Sequence, residues 1–65
     1  MKIHYFTETD TALLEFADAA PEETRALSDS VYADFDKKGN MVALTIEHAH
    51  ANANLNEVAF LRVSA

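Results

Sequence analysis

The reading of VYADFDKKGNMVALTIE, residues 31–47, decides the fold. Before the chain's single glycine, Val31, Ala33 and Phe35 alternate with Tyr32, Asp34 and Asp36. After it, Val42, Leu44 and Ile46 alternate with Ala43, Thr45 and Glu47. A period of two is that of a strand with one buried face. Asp36 and Gly39 occupy the favoured first and fourth positions of a type I turn. A loop over residues 37–40 then sets Phe35 opposite Val42, Ala33 opposite Leu44 and Val31 opposite Ile46. A slip of one residue would place apolar side chains against polar ones along the whole ladder, so the register follows from the matching of faces.

The N-terminus repeats the device. KIHYF (residues 2–6) is followed by TETD (7–10) and then TALLEF (11–16). A loop over residues 7–10 pairs Tyr5 with Ala12 and Ile3 with Leu14, and Phe16 extends that face. His4, Phe6, Leu13 and Glu15 fall on the reverse side. Phe6 and Leu13 are large and apolar, so this side calls for a second layer or another subunit.

Between the hairpins, local propensity in DAAPEETRALSDS (18–30) favours a helix. Asp18 suits a cap, Pro21 the first turn, and Glu22 and Glu23 the positive helix end. Alternation offers a strand instead, with Thr24 and Ala26 opposite Arg25 and Leu27. In the tail, ANANLNEVAFLRVSA (51–65), Val58, Phe60 and Arg62 alternate with Ala59, Leu61 and Val63. Both of its faces are largely apolar; short length and valines favour an edge strand over residues 57–63.

Sixty-five residues make one domain, residues 1–65, with a small core. Such domains recover stability from disulfides, metals or self-association. There is no cysteine, which removes disulfides and thiolate zinc sites and leaves self-association as the favoured route, a homodimer being expected. Eleven acids against five scattered bases give a net charge of −6, and no basic stripe to meet a phosphate backbone. The charge serves solubility and suits encounter with a basic protein partner. No apolar run approaches the roughly 20 residues of a membrane span. MKIHYFTE does not read as a signal peptide, and the expected location is the cytoplasm.

Chemical motifs are few. Asp34, Asp36 and Gly39 match positions one, three and six of a calcium loop, but Lys38 and Thr45 stand where oxygen ligands are needed. The stretch is read as a hairpin turn. In EHAHANAN (47–54), His48 and His50 would point the same way on a strand, with His4 as a third ligand, making a metal site the alternative function. The simpler reading ends the strand at Glu47 and turns residues 49–54 into a polar corner or one helical turn, for which Asn52 and Asn54 are suited. Ser28, Ser30 and Ser64 lack a glycine elbow, and Asp34 and Asp36 lie on a wet strand end, so no catalytic residue is assigned and no enzyme is expected. Nothing in the pattern asks for a cofactor.

The order YF-TETDTALLEF and then ETRALSDSVYADFDKKGNMVALTIEHA resembles the domain-of-unknown-function 2283 family of small bacterial and archaeal proteins. The resemblance rests on Tyr5, Glu8 to Asp10, Ala12 to Phe16, Glu22 to Leu27, Val31 to Asp36, Gly39-Asn40 and Ile46 to Ala49, about three quarters of the chain. These motifs are turns and strands, so they carry fold more than chemistry. The resemblance implies a strand over residues 22–27, against local propensity, and we follow it there. It brings no activity with it. It suggests pairing with a small toxin-like protein encoded nearby. The family's His-Ala-Ser is His48-Ala49-His50 here, which weakens a metal reading that needs both imidazoles.

The expected fold is mainly β: a small antiparallel meander of five or six short strands, with an optional helical turn near residues 48–53. Ile3, Tyr5, Leu14, Phe16, Val31, Ala33, Phe35, Val42, Leu44 and Ile46 are the expected core. The expected function is a self-associating interaction module that pairs with a small partner, using Phe6, Leu13, Phe60 and Leu61 or a free strand edge.

Overall fold

The computed structural model describes residues 1–64. Five antiparallel strands form one open sheet: β1 (Lys2–Phe6), β2 (Thr11–Glu15), β3 (Glu23–Ala26), β4 (Val31–Phe35) and β5 (Met41–Ile46). A single short helix, α1 (Ala49–Asn52), follows. The helical turn expected after Glu47 is this element. The strand expected over residues 22–27 is β3, where backbone pairing with β4 outweighs the local preference for helix.

The β4–β5 turn forms as the sequence predicts. Gly39 N donates to Asp36 O at 3.1 Å, and Gly39 takes φ +84°, a left-handed conformation that glycine adopts without strain. Both the Lys38 and the Asn40 amides donate to Asp36 Oδ1 at 2.9 Å. The Asn40 amide, with further help from its side chain and the Lys38 and Gly39 amides, holds the Asp36 carboxyl below the usual range. That carboxylate is spent on backbone amides, as a turn requires.

The registers Val31↔Ile46, Ala33↔Leu44, Ile3↔Leu14 and Tyr5↔Ala12 are as expected. One pairing is displaced: Phe35 faces Met41, not Val42, because the ladder slips at Asp34/Phe35. Met41 and Val42 are both apolar, so this bulge shifts the register without exposing a wrong face.

The strand order is β1-β2-β5-β4-β3. Thus β3, β4 and β5 run as a meander, β1 and β2 as a hairpin, and β5 joins the two by pairing with β2 (Leu14↔Leu44, Ala12↔Ile46). The connection over residues 16–22 must pass three strand spacings, roughly 14 Å. It is held at both ends, with the Phe16 and Ala17 amides donating to Val42 O and the Glu22 amide to Phe35 O. On its way Ala17, Ala19 and Pro21 share a depression with Leu13, Asp34 and Ala43.

Register and alternation put the expected core residues on the other face, except Val42, which at the bulge lines this depression. They do not form a closed core. Of those ten, only Ala33 and Val42 are buried; Ile3 is 42% exposed, Phe16 40%, and the rest are partly covered. The buried set is small: Ala12, Ala33, Val42, Ala43 and Ala49. The cause is architectural. The strands touch chiefly their ladder neighbours, and among the described residues no second layer lies on this face, whereas a closed core needs two.

The sixth strand expected over residues 57–63 is not formed. Among the described residues, no main-chain hydrogen bond joins residues 57–64 to a strand, so the tail has no ladder to enter. Chain dimensions reflect this. The radius of gyration is 12.8 Å, against about 10.7 Å for a compact chain of this length. The accessible surface is 5251 Å², roughly 1,100 Å² more than a compact monomer of this mass exposes.

Candidate functional site

Three side chains far apart in sequence meet where α1 joins the sheet. Tyr5 comes from β1, Asp10 ends the β1–β2 turn, and His50 lies in α1. The Tyr5 hydroxyl donates to Asp10 Oδ1 at 2.6 Å. His50 Nδ1 stands 2.7 Å from the same oxygen and 2.8 Å from the Tyr5 hydroxyl. A carboxylate only accepts, so the arrangement is satisfied when His50 carries its proton on Nδ1 and donates to Asp10. The imidazole meets the Tyr5 ring edge-on at 5.2 Å.

Local backbone explains the meeting. Asp10 and His48 both take positive φ, 52° and 51°. A left-handed residue reverses the chain sharply, and Asp and His tolerate it better than β-branched residues do. At the first reversal the Asp10 carbonyl accepts from the Ala49 amide at 2.9 Å. The second starts α1, and the His50 amide also donates to the Asp10 carboxylate at 3.3 Å. Asn52 closes the corner, its side-chain amide donating to the carbonyls of Glu47 and His48. Ala49 is buried beneath. Electrostatics follow the geometry. The Tyr5 hydroxyl, and then the His50 ring, hold the Asp10 carboxyl below the usual range; Asp10 in turn pushes the Tyr5 phenol up. The cluster clamps α1 to the β1–β2 turn.

The histidines are not gathered into a metal centre. β5 ends at Ile46, so His48 and His50 lie on a left-handed corner and a helical turn, and the strand geometry that would align them is absent. His50 is engaged with Asp10 and Tyr5. His4 is on β1, its Nε2 3.8 Å from Glu15 Oε1 and its ring stacked on Phe6 at 6.3 Å. Among the described residues, no three His, Cys, Asp or Glu side chains converge as a metal site would require.

Phe6 is exposed on the reverse face of β1, and Leu13, opposite His4, is partly covered. Phe60 and Leu61 stand in the tail, 83% and 81% exposed. Of the four expected contact residues, two belong to the sheet and two to the tail. Another apolar surface is the opposite face, that of Leu14, Val31, Phe35, Leu44 and Ile46, bordered by Ile3 and Phe16. At its β3 margin the Arg25 guanidinium lies 4.3 Å from the centre of the Phe35 ring, while binding Glu23 through two nitrogens at 3.0 and 3.2 Å. No helix among the described residues is long and apolar enough to cross a membrane.

Sequence reasoning missed Tyr5 and Asp10 as partners of His50. Their separations from it are 45 and 40 residues, and no spacing rule links them. The only local signal was Asp10 at the end of a tight turn, where a left-handed aspartate is common.

These features define a class: a small β protein with a single open sheet, a clamped helical corner and an apolar face that is only partly covered. Residues 2–50 match the sequence profile described as protein of unknown function DUF2283, and the chain belongs to that family. The matched span includes the whole sheet and the start of the clamped corner, and stops before the tail. No curated protein and no solved structure gives a significant match.

Proposed function

We propose that this protein is an interaction module that works by association, its apolar sheet face being covered by a second copy. The observation that carries this reading is the face itself: large apolar side chains on one side of four of the five strands, with no second sheet or helix layer over them among the described residues. Two sheets packed face to face, about 10 Å apart, are the common way to bury such surfaces. The chain exposes roughly 1,100 Å² more than a compact monomer of its mass, the unpaired tail included, so it has surface to bury on association. The acidic side chains lie largely off this face, so association does not require burying them unpaired.

Solution mass of the full chain by light scattering, over a range of concentrations, tests the reading. A dimer supports it. A strict monomer at all concentrations overturns self-association. A monomer that forms a stoichiometric complex when co-expressed with a small neighbouring gene product would assign the same face to a different protein.

A further inference from the structure

We propose that residues 57–63 of one copy add as a sixth strand along the free β1 edge of a second copy, the two tails being exchanged reciprocally. This rests on the self-association described above and goes further, because it says what the tail does.

The first argument is the tail's unmet need. Val58, Phe60, Leu61 and Val63 alternate to both sides, are all largely exposed, and sit on a backbone with no ladder partner among the described residues. A strand apolar on both sides is stable only where neighbours continue both apolar rows.

The second argument is the choice of edge. The sheet has two free edges, β1 and β3. β3 is Glu-Thr-Arg-Ala, and its charges already bind each other. Its four positions carry no large apolar side chain; the exposed Leu27 follows just past its end, where its amide donates to Val31 O. β1 offers Ile3 on one face and Phe6 on the other, both exposed. A strand laid beside β1 extends the Ile3 row with one apolar set and the Phe6 row with the other. The β1 edge has unpaired amides and carbonyls to receive it.

The third argument is why the edge belongs to a second copy. The clamp fixes the start of the tail beside Tyr5 of its own β1, yet residues 57–63 lie off that strand. Pairing with its own β1 would hide the tail and leave the apolar face open. The bare face measures roughly 24 by 17 Å, about 400 Å² before side-chain relief, well short of a standard interface. Exchanged tails add the missing contact, and exchange of an identical element is a low-cost route to a symmetric dimer.

The chain has no cysteine, so single thiols can be placed at will. Copies carrying His4→Cys on β1 are mixed with mass-tagged copies carrying Ala59→Cys or Arg62→Cys in the tail. The mixture is treated with a short bismaleimide cross-linker. Copies carrying Thr24→Cys on β3 replace the β1 variant as the control. Circular dichroism and light scattering on each variant confirm that the sheet and the dimer persist. The expected result is a mixed-copy product formed several-fold more with the β1 thiol than with the β3 thiol. Equal yields from a dimer overturn the tail exchange and leave the self-association reading standing. A double variant, His4→Cys with Ala59→Cys, that links only within one chain at every concentration also overturns the exchange. A monomer overturns both.

Discussion

His50 Nδ1 lies 2.7 Å from Asp10 Oδ1, across forty residues of sequence, and this contact ties α1 to the sheet. The Tyr5 hydroxyl shares the same oxygen, so the carboxylate is the centre of the clamp. Asp10→Ala removes both partners' acceptor and also the side-chain acceptor of the His50 amide. It is expected to lower Tm by roughly 5 °C, more than His50→Ala does. Thermal melts by circular dichroism check the ranking. Equal and negligible effects would mean that the clamp holds nothing.

The same cluster sets a pH dependence. Asp10 and Asp36 are held below the ordinary carboxylate range, Asp10 chiefly by the Tyr5 hydroxyl and Asp36 chiefly by the Asn40 amide, while the Tyr5 phenol is pushed up by Asp10. For the carboxylates, the stabilising contribution is complete above their unfolded values, about 4, and is lost as pH falls through the lower folded ones. For Tyr5 the sign is reversed. Its contribution is present below the unfolded value, about 10, and is lost as pH rises through the higher folded one. Tm plotted against pH should therefore fall on both sides of a neutral plateau. Asp10→Asn should flatten part of the acid limb, and Tyr5→Phe the alkaline limb.

At Gly39 the backbone alone is at stake. φ is +84°, and a Cβ placed there would meet nothing within 4 Å. Gly39→Ala is thus expected to cost about 1 kcal/mol through backbone strain without any clash. Gly39→Asn should cost less, because asparagine enters the left-handed region more readily. Urea unfolding measures both, and an unchanged slope would confirm that the folded surface is the same.

Leu44 and Thr45 are sequence neighbours on opposite faces of the central strand. Leu44→Glu places a charge in the middle of the apolar face and should shift the protein to monomer, whereas Thr45→Glu should leave its mass unchanged. Each copy carries a net charge of −6, so raising the salt from low ionic strength should tighten association by screening repulsion. Sedimentation equilibrium of the two variants at two salt concentrations checks both statements. Dissociation by Thr45→Glu alone would place the interface on the wrong side.

Much of the sheet was legible from local pattern. The Asp36 to Asn40 turn carries its own chemistry in five residues, and alternation around it forces the Val31↔Ile46 and Ala33↔Leu44 pairs. Resemblance to the family, not propensity, identified β3: Glu22, Glu23 and Pro21 suit a helix start equally well, and only pairing with β4 decides between them. The pairing of β2 with β5 was not legible, since alternation fixes which face a strand shows and says nothing of its distant neighbour. The openness of the face escaped for a related reason. Apolar alternation says that a face wants cover, and Leu44 or Ile46 reads the same whether the cover comes from its own chain or from another. Residues 57–63 show the converse error. Their pattern suits a strand, but a strand exists only where a ladder is available. The clamp of Tyr5, Asp10 and His50 depends on two left-handed residues that bring distant segments together, which no periodicity records.

The strand order has a consequence for how the protein comes into being. β5, the middle of the sheet, is the last of its five strands to leave the ribosome. Until it emerges, the β1–β2 hairpin and the β3–β4 pair have no surface in common, and each bears an edge that only β5 can close. Ribosomes stalled with only residues 1–40 outside the exit tunnel should therefore hold two disconnected halves. Release of the next few residues should then assemble the whole sheet in a single step.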